Sequence, residues 1–256
     1  MTAEIITIAS LKGGAGKTTT AYALACAAGV TGLRALALDL DPAFGLTAAL
    51  GLSPRPATIA DAVHGGDLDA ALQQHPLGVH AVAADRRLTG DAPQAERLRA
   101  LLWEARSRYD VIVLDASPDE AAMLGPVDVA DHIVVPAALD ILSMRAAALT
   151  AALVDAAGAL DRVSGLAVTD PSRPMSAAER SVLAGLQRHG LALETQLMAR
   201  RSWPSASTAA TDPEVAGMLT AGKLLLREVA TRSAPPGALR HFIALARSRP
   251  PLTAAG

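Results

Sequence analysis

The sequence predicts an α/β protein: a doubly wound, mostly parallel sheet flanked by helices. Three observations predict it. Short apolar runs such as Ile5–Ile8 and Val111–Leu114 recur along the chain, the continuous pattern of strands buried on both faces. Alanine- and leucine-rich stretches of helix length separate them, the alternation of a parallel sheet with right-handed crossovers. The first apolar run and the first helical stretch are joined by a loop holding Gly13, Gly14 and Gly16.

Taken in order, the first strand is expected over 4–10 and the first helix over 17–29, with Gly29 and Gly32 turning the chain. Arg34–Asp39 reads as the second buried strand and ends in Asp39-Leu40-Asp41-Pro42. Residues 51–76 are broken by Pro54, Pro56, Gly65, Gly66 and Pro76, and allow short helical pieces at Thr58–His64 and Leu68–Gln74. Gly78–Ala84 is a strand. Asp91–Arg108 is a helix, with Ala95, Leu98, Leu101, Leu102 and Ala105 at helical spacing. Tyr109–Asp115 is an apolar strand that again ends in an acid. Asp131–Pro136 is a strand, Leu142–Ala157 a helix, Gly165–Asp170 a strand, Met175–Gln187 a helix and Leu191–Leu197 the last strand. A helix opens at Asp212, with Pro213 in its first turn, and runs to about Thr231. Pro235-Pro236-Gly237 separates it from a final helix, Ala238–Arg249, whose Leu239, Phe242, Ile243 and Ala246 form one stripe. With no internal repeat or linker, residues 1–256 read as a single domain carrying a basic helical segment from about 212.

Composition narrows the function. Aromatic residues make up 2% of the chain, which leaves no stacking platform for single-stranded nucleic acid. Cys26 is the one cysteine, so no disulfide framework or cysteine-held cluster can form within the chain. His64, His75 and His80 lack metal-ligand spacing and read as surface or packing residues. The N-terminus carries no basic-then-apolar leader and no apolar run spans a bilayer, so a cytoplasmic protein is expected. Net charge is −2, unevenly placed: residues 196–256 hold eight Lys/Arg against three acids, a hint of a polyanion partner.

The glycine loop carries the chemistry. Ala9–Thr19 lies between strand and helix, where glycines let the backbone approach phosphate oxygens and the helix N-terminus presents its N–H groups to an anion. Lys17 is placed to reach the β- and γ-phosphates of a nucleotide, and Thr18 to hold Mg²⁺. The strict P-loop pattern needs glycine at position 11, where this chain has Leu11, and it adds Lys12 at the front. Arginine is the default cation here. The chain has only three lysines, Lys12, Lys17 and Lys223, and two of them sit in this loop.

Lys12-Gly13-Gly14-Ala15-Gly16-Lys17-Thr18-Thr19 resembles the deviant P-loop of the ParA/MinD family of ATPases. The Asp39–Pro42 segment resembles that family's first switch, and Tyr109–Pro118 its Walker B strand, with Ser117 in place of a proline. The resemblance implies that Lys12 reaches a partner subunit's nucleotide, that Gly13 to Thr19 hold ATP, and that Lys12, Lys17 and Asp41 serve catalysis. It also implies that Thr18, Asp39, Asp41 and Asp115 surround Mg²⁺. Arg200, in Arg200-Arg201-Ser202-Trp203-Pro204, matches a segment near the adenine. Ala43 and Gly45 depart from the family's glutamine and asparagine, which implies slow or differently stimulated hydrolysis.

Among relatives, Thr58–Ala62 and Leu142–Leu153 look closest to ParA partition proteins. That implies a homodimer formed with ATP, non-specific duplex-DNA binding through Arg200, Arg201, Lys223 and Arg227, and a ParB-like centromere-binding partner. Two alternatives are a MinD-like membrane-cycling ATPase, suggested by the basic final helix, and a nucleotide-gated DNA binder with little hydrolysis.

Overall fold

The computed structural model describes residues 2–53, 57–88, 90–170, 174–198, 209 and 211–248. In chain order the elements are β1 (Glu4–Ile8), α1 (Lys17–Val30), β2 (Ala35–Asp39), α2 (Gly45–Ala49), α3 (Ile59–Val63), α4 (Leu68–Ala71), β3 (Gln73–His75), β4 (Val79–Val82) and α5 (Ala92–Ala105). They continue with β5 (Val111–Asp115), α6 (Glu120–Val129), β6 (His132–Ala137), α7 (Ile141–Ala156), β7 (Val163–Asp170), α8 (Ala177–Arg188), β8 (Leu197–Met198), α9 (Pro213–Thr231) and α10 (Pro236–Ser248).

The sheet runs β3-β4-β2-β5-β1-β6-β7-β8. Every pairing is parallel except β3 with β4. The doubly wound architecture is therefore as expected. β1 lies between β5 and β6, so the chain winds outward from it in both directions, and the loop after β1 opens at the point where the winding reverses.

Residues 21–28 of α1 are all fully buried, which is why this helix is apolar all round rather than amphipathic. On one side α1 meets the sheet; on the other it is covered by α9, so closely that a Cβ on Gly222 would stand 2.4 Å from the Ala23 carbonyl oxygen. α3 and α5 cover β2, β4 and β5, and α7, α8 and α10 cover β6 and β7. Aspartates start the helices: Asp91, Asp119, Asp140 and Asp212 each accept a backbone N–H of the first turn.

Four elements differ from expectation; one is the short α2, which no sequence signal announces. Leu68–Gln74 is not one helical piece: helix α4 stops at Ala71, and Gln73–His75 pair antiparallel with Val79–Val82. Nothing in Gln-Gln-His favours a strand; the tight turn closed by the Gly78 N–H on the His75 carbonyl imposes it. Leu191–Leu197 is not a continuous strand either. Ala192 makes an isolated bridge and only Leu197–Met198 pair with β7, because the Glu194 and Thr195 amides turn to the Glu228 carboxylate of α9. The sequence gives no warning of α6, whose Gly125 and Pro126 interrupt any helical pattern; Thr7 Oγ1 donates to the Pro126 carbonyl at 2.8 Å.

Candidate active site

The loop Ala9–Gly16 leaves the carboxyl end of β1 and delivers Lys17 as the first residue of α1. Gly16 caps the helix in the left-handed conformation, φ 99°, and a Cβ there would stand 2.5 Å from the Thr169 methyl. Gly14 is also left-handed, and open space lies over both Gly13 and Gly14. Ala15 and Thr19 are buried and hold the loop to the core.

Three carboxylates from two neighbouring strands converge here. Asp115 ends β5, Asp39 ends β2, and Asp41 follows two residues later. Asp115 Oδ2 accepts the Thr18 hydroxyl at 2.9 Å, while its Oδ1 is buried without a hydrogen-bond partner. Burial first, then repulsion from Asp39, pushes the Asp115 pKa up to about 8, against the pull of Lys17 and Thr18. Asp39 is fully buried; burial pushes it up to about 6 although three donors hold its oxygens. Those donors are the Thr47 N–H and hydroxyl, both at 2.7 Å, and the Asp41 N–H at 3.1 Å. Asp41 Oδ1 accepts the Ala43 N–H at 3.0 Å, and its Oδ2 lies 4.0 Å from Lys17 Nζ.

Hydroxyl and carboxylate oxygens with one orphaned acceptor suit a hard divalent cation such as Mg²⁺, which Thr18 and Asp115 could hold. Asp39, by contrast with Asp115, has hydrogen-bond donors on both of its oxygens, from the turn it anchors. Among the described residues no three acids, histidines or cysteines are placed to form an all-protein metal cage. Mg²⁺ sites that are completed by substrate phosphates do not need one.

A protein-family model described as an AAA domain matches residues 3–157, more than half of the chain. The chromosome-partitioning ATPase Soj of Thermus thermophilus is 32% identical over 172 residues, 64% of this chain and 68% of Soj. The chain belongs to the ParA/MinD family of deviant Walker A ATPases.

Other relatives of this ParA-family chain extend the match. An uncharacterized protein of Mycobacterium tuberculosis is 26% identical over 251 residues, 89% of this chain and 77% of that protein. Two solved structures share the fold. One, cobyrinic acid a,c-diamide synthase from Mycobacterium smegmatis with bound ATP analog and magnesium, has 23% identity and TM-score 0.73, and the match covers 91% of this chain and 98% of that one. The other, a plasmid partition protein from Borrelia burgdorferi, has 16% identity and TM-score 0.70 and covers 90% and 100%.

The front lysine of this ParA-family loop does not point at the acids. Lys12 Nζ donates to Ser143 Oγ at 2.6 Å and stands 3.5 Å from Asp140 Oδ1, both at the start of α7. The lysine side chain is a third exposed and the aspartate half exposed, so undocking it costs no more than about 1 kcal/mol. The sequence does not single out Asp140, Ser143 or Thr47 as candidate site residues. Asp140 carries the signal of an aspartate before a helical run; Thr47 carries none, since its role depends on β2 and β4 lying side by side.

Lys223 and Arg227 occupy exposed positions on α9. Arg200 and Arg201 lie outside the described residues. The stripe on the last helix is turned inward: Leu239 and Ile243 are buried, and Phe242 packs on the same core as α7. No helix among the described residues is long and apolar enough to cross a membrane.

Proposed function

We propose that this chain is a ParA-type partition ATPase that closes into a dimer around two ATP·Mg²⁺. In that dimer Lys12 leaves Asp140 and Ser143 to reach the nucleotide of the second copy, while Lys17 and the amides of Gly13 to Thr19 hold the phosphates in cis. The observation that carries this reading is the pair of loop lysines with opposite destinations: Lys17 is buried beside Asp41, and Lys12 rests on α7 on a weak, exposed contact. Thr18 and Asp115 would hold Mg²⁺, which neutralises phosphate charge when bound. Asp41, with one oxygen committed to the turn and the other facing Lys17, would place the attacking water. No strong general base stands at the site, so catalysis rests on positioning and charge. Ala43 and Gly45 supply no amide side chain, which supports slow turnover that a ParB-like centromere-binding partner would raise.

Dimerisation would bring two α9 surfaces bearing Lys223 and Arg227, with Arg200 and Arg201, onto one duplex through phosphate contacts. The buried stripe of α10 favours this over a membrane-cycling role, because its apolar face is already covered. The test is sizing of wild type and Lys12→Ala with and without ATP·Mg²⁺, alongside plasmid-DNA binding across a salt series. An ATP-dependent dimer lost in Lys12→Ala, and DNA affinity falling steeply with salt, are expected. Equal dimerisation of both proteins would overturn the sandwich. Unchanged DNA binding after removing the charges at Lys223 and Arg227 would place the DNA elsewhere.

A further inference from the structure

The turn after β2 holds a conformation its sequence resists. Phe44 has φ 59°, the one non-glycine residue with positive φ among those described, and an aromatic side chain is unfavourable there. The turn also lies directly on the phosphate site. The Phe44 N–H closes it on the Asp41 carbonyl at 2.9 Å, and a Cβ on Gly45 would stand 2.4 Å from Thr18 Oγ1. Backbone strain kept at such a place needs something to hold it.

Two ties from the segment after β4 do so. Thr47 Oγ1, already donating to Asp39, accepts the Ala84 N–H at 2.8 Å. Two residues on, the guanidinium of Arg86 lies over the Phe44 ring, 5.9 Å from its centroid. The next arginine behaves differently: Arg87 is paired with Asp85 and Asp61. Arg86 is exposed and has no carboxylate partner among the described residues, so its placed contact is the ring.

We propose that Arg86 is a positioning residue: with Phe44 it forms a clasp that holds the Asp41 turn against Lys17 and Thr18, in a chain whose positions 43 and 45 supply no side-chain amide to do so. This rests on the ATPase reading above. The expected signature is a loss in kcat without a loss in Mg²⁺·ATP affinity, because the clasp orients Asp41 and does not touch the phosphates. Arg86→Met lowers kcat about two- to fivefold, the scale of a partly exposed cation–ring contact, and Arg86→Lys recovers part of it. Phe44→Leu gives a similar loss, and the double variant is no worse than either single one. An unchanged kcat in Arg86→Met, or single losses that multiply in the double variant, would overturn the clasp. If wild type shows no turnover, the ATPase reading fails by itself. Amide hydrogen exchange at Ala43 and Phe44 then decides: faster exchange in Arg86→Met supports the clasp, and equal exchange refutes it.

Discussion

The two ends of the parallel sheet use the same residue types to opposite effect. At the amino ends, carboxylates are matched. Asp131 accepts the Ile5 N–H at 2.8 Å and both of its oxygens face the Arg106 guanidinium; Asp110 is paired with Arg34, which holds its pKa down at about 2. At the carboxyl ends, Asp39 and Asp115 are buried side by side, both pKa values are raised, and Asp115 keeps an orphaned oxygen. An arrangement that burial alone makes unfavourable persists where a ligand completes it. At one end charge is paired; at the other, buried charge is left partly unpaired, as the proposed ATP·Mg²⁺ site would require.

Breaking the carboxyl end at its cation gives the largest effect. Lys17→Ala should lower kcat/KM for ATP by at least about 10²- to 10³-fold, the scale of losing one preorganised charge in a site, read by steady-state phosphate release. Arg34→Ala, at the other end, should leave turnover within about twofold while lowering stability, since surface changes away from a site are near neutral to it.

Asp115→Asn should separate stability from function. Its nucleotide affinity should lose its dependence on magnesium in calorimetry, yet without nucleotide it should be the more stable protein at about pH 8. The sign follows from linkage: an acid whose pKa is higher folded than unfolded keeps its proton longer in the folded state. Wild-type stability without nucleotide therefore falls as pH rises from the unfolded carboxylate value near about 4 through about 6 and about 8, the folded values of Asp39 and Asp115. Urea midpoints should decline for wild type up to about pH 8, whereas the variant should keep only the earlier part of the decline, up to about pH 6, that Asp39 causes.

At the amino end, Asp131→Ala should cost about 1–3 kcal/mol, because it strands the Ile5 amide and leaves Arg106 only its bond to the Ala3 carbonyl, with the ATP dissociation constant unchanged. A drop in affinity equal to that of a loop variant would mean that the two ends are not independent. The smallest change is expected for Ser143→Ala. Removing the hydroxyl that receives Lys12 should shift ATP-dependent dimerisation by no more than about fivefold, toward the dimer, since one hydrogen bond is lost while the Lys12–Asp140 pair remains.

Much of this site was legible before any fold was known. Gly13 to Thr19 form a contiguous motif whose glycines and cations have one common chemical use, and Asp39, Asp41 and Asp115 each follow an apolar run that can only be a buried strand. What was not legible depends on long-range pairing. Thr47 and Ala84 are 37 positions apart and meet only because β2 and β4 are neighbours. The destination of Lys12 is 131 positions away, on α7. Gln73–His75 is a strand through its partner alone, and the break within Leu191–Leu197 follows from Glu228, a residue of another element.

By itself, then, the order of residues determined the α/β winding, the glycine loop between β1 and α1 and the family the chain belongs to, because these follow from local periodicity and from a short run of adjacent residues. Tertiary structure alone decided which acid keeps an unpartnered oxygen and which is hydrogen-bonded by a turn, where the front lysine docks, and that Phe44 sits left-handed beneath an arginine. Those outcomes are set by burial and by contacts between distant segments, and neither quantity is written in any local stretch of sequence.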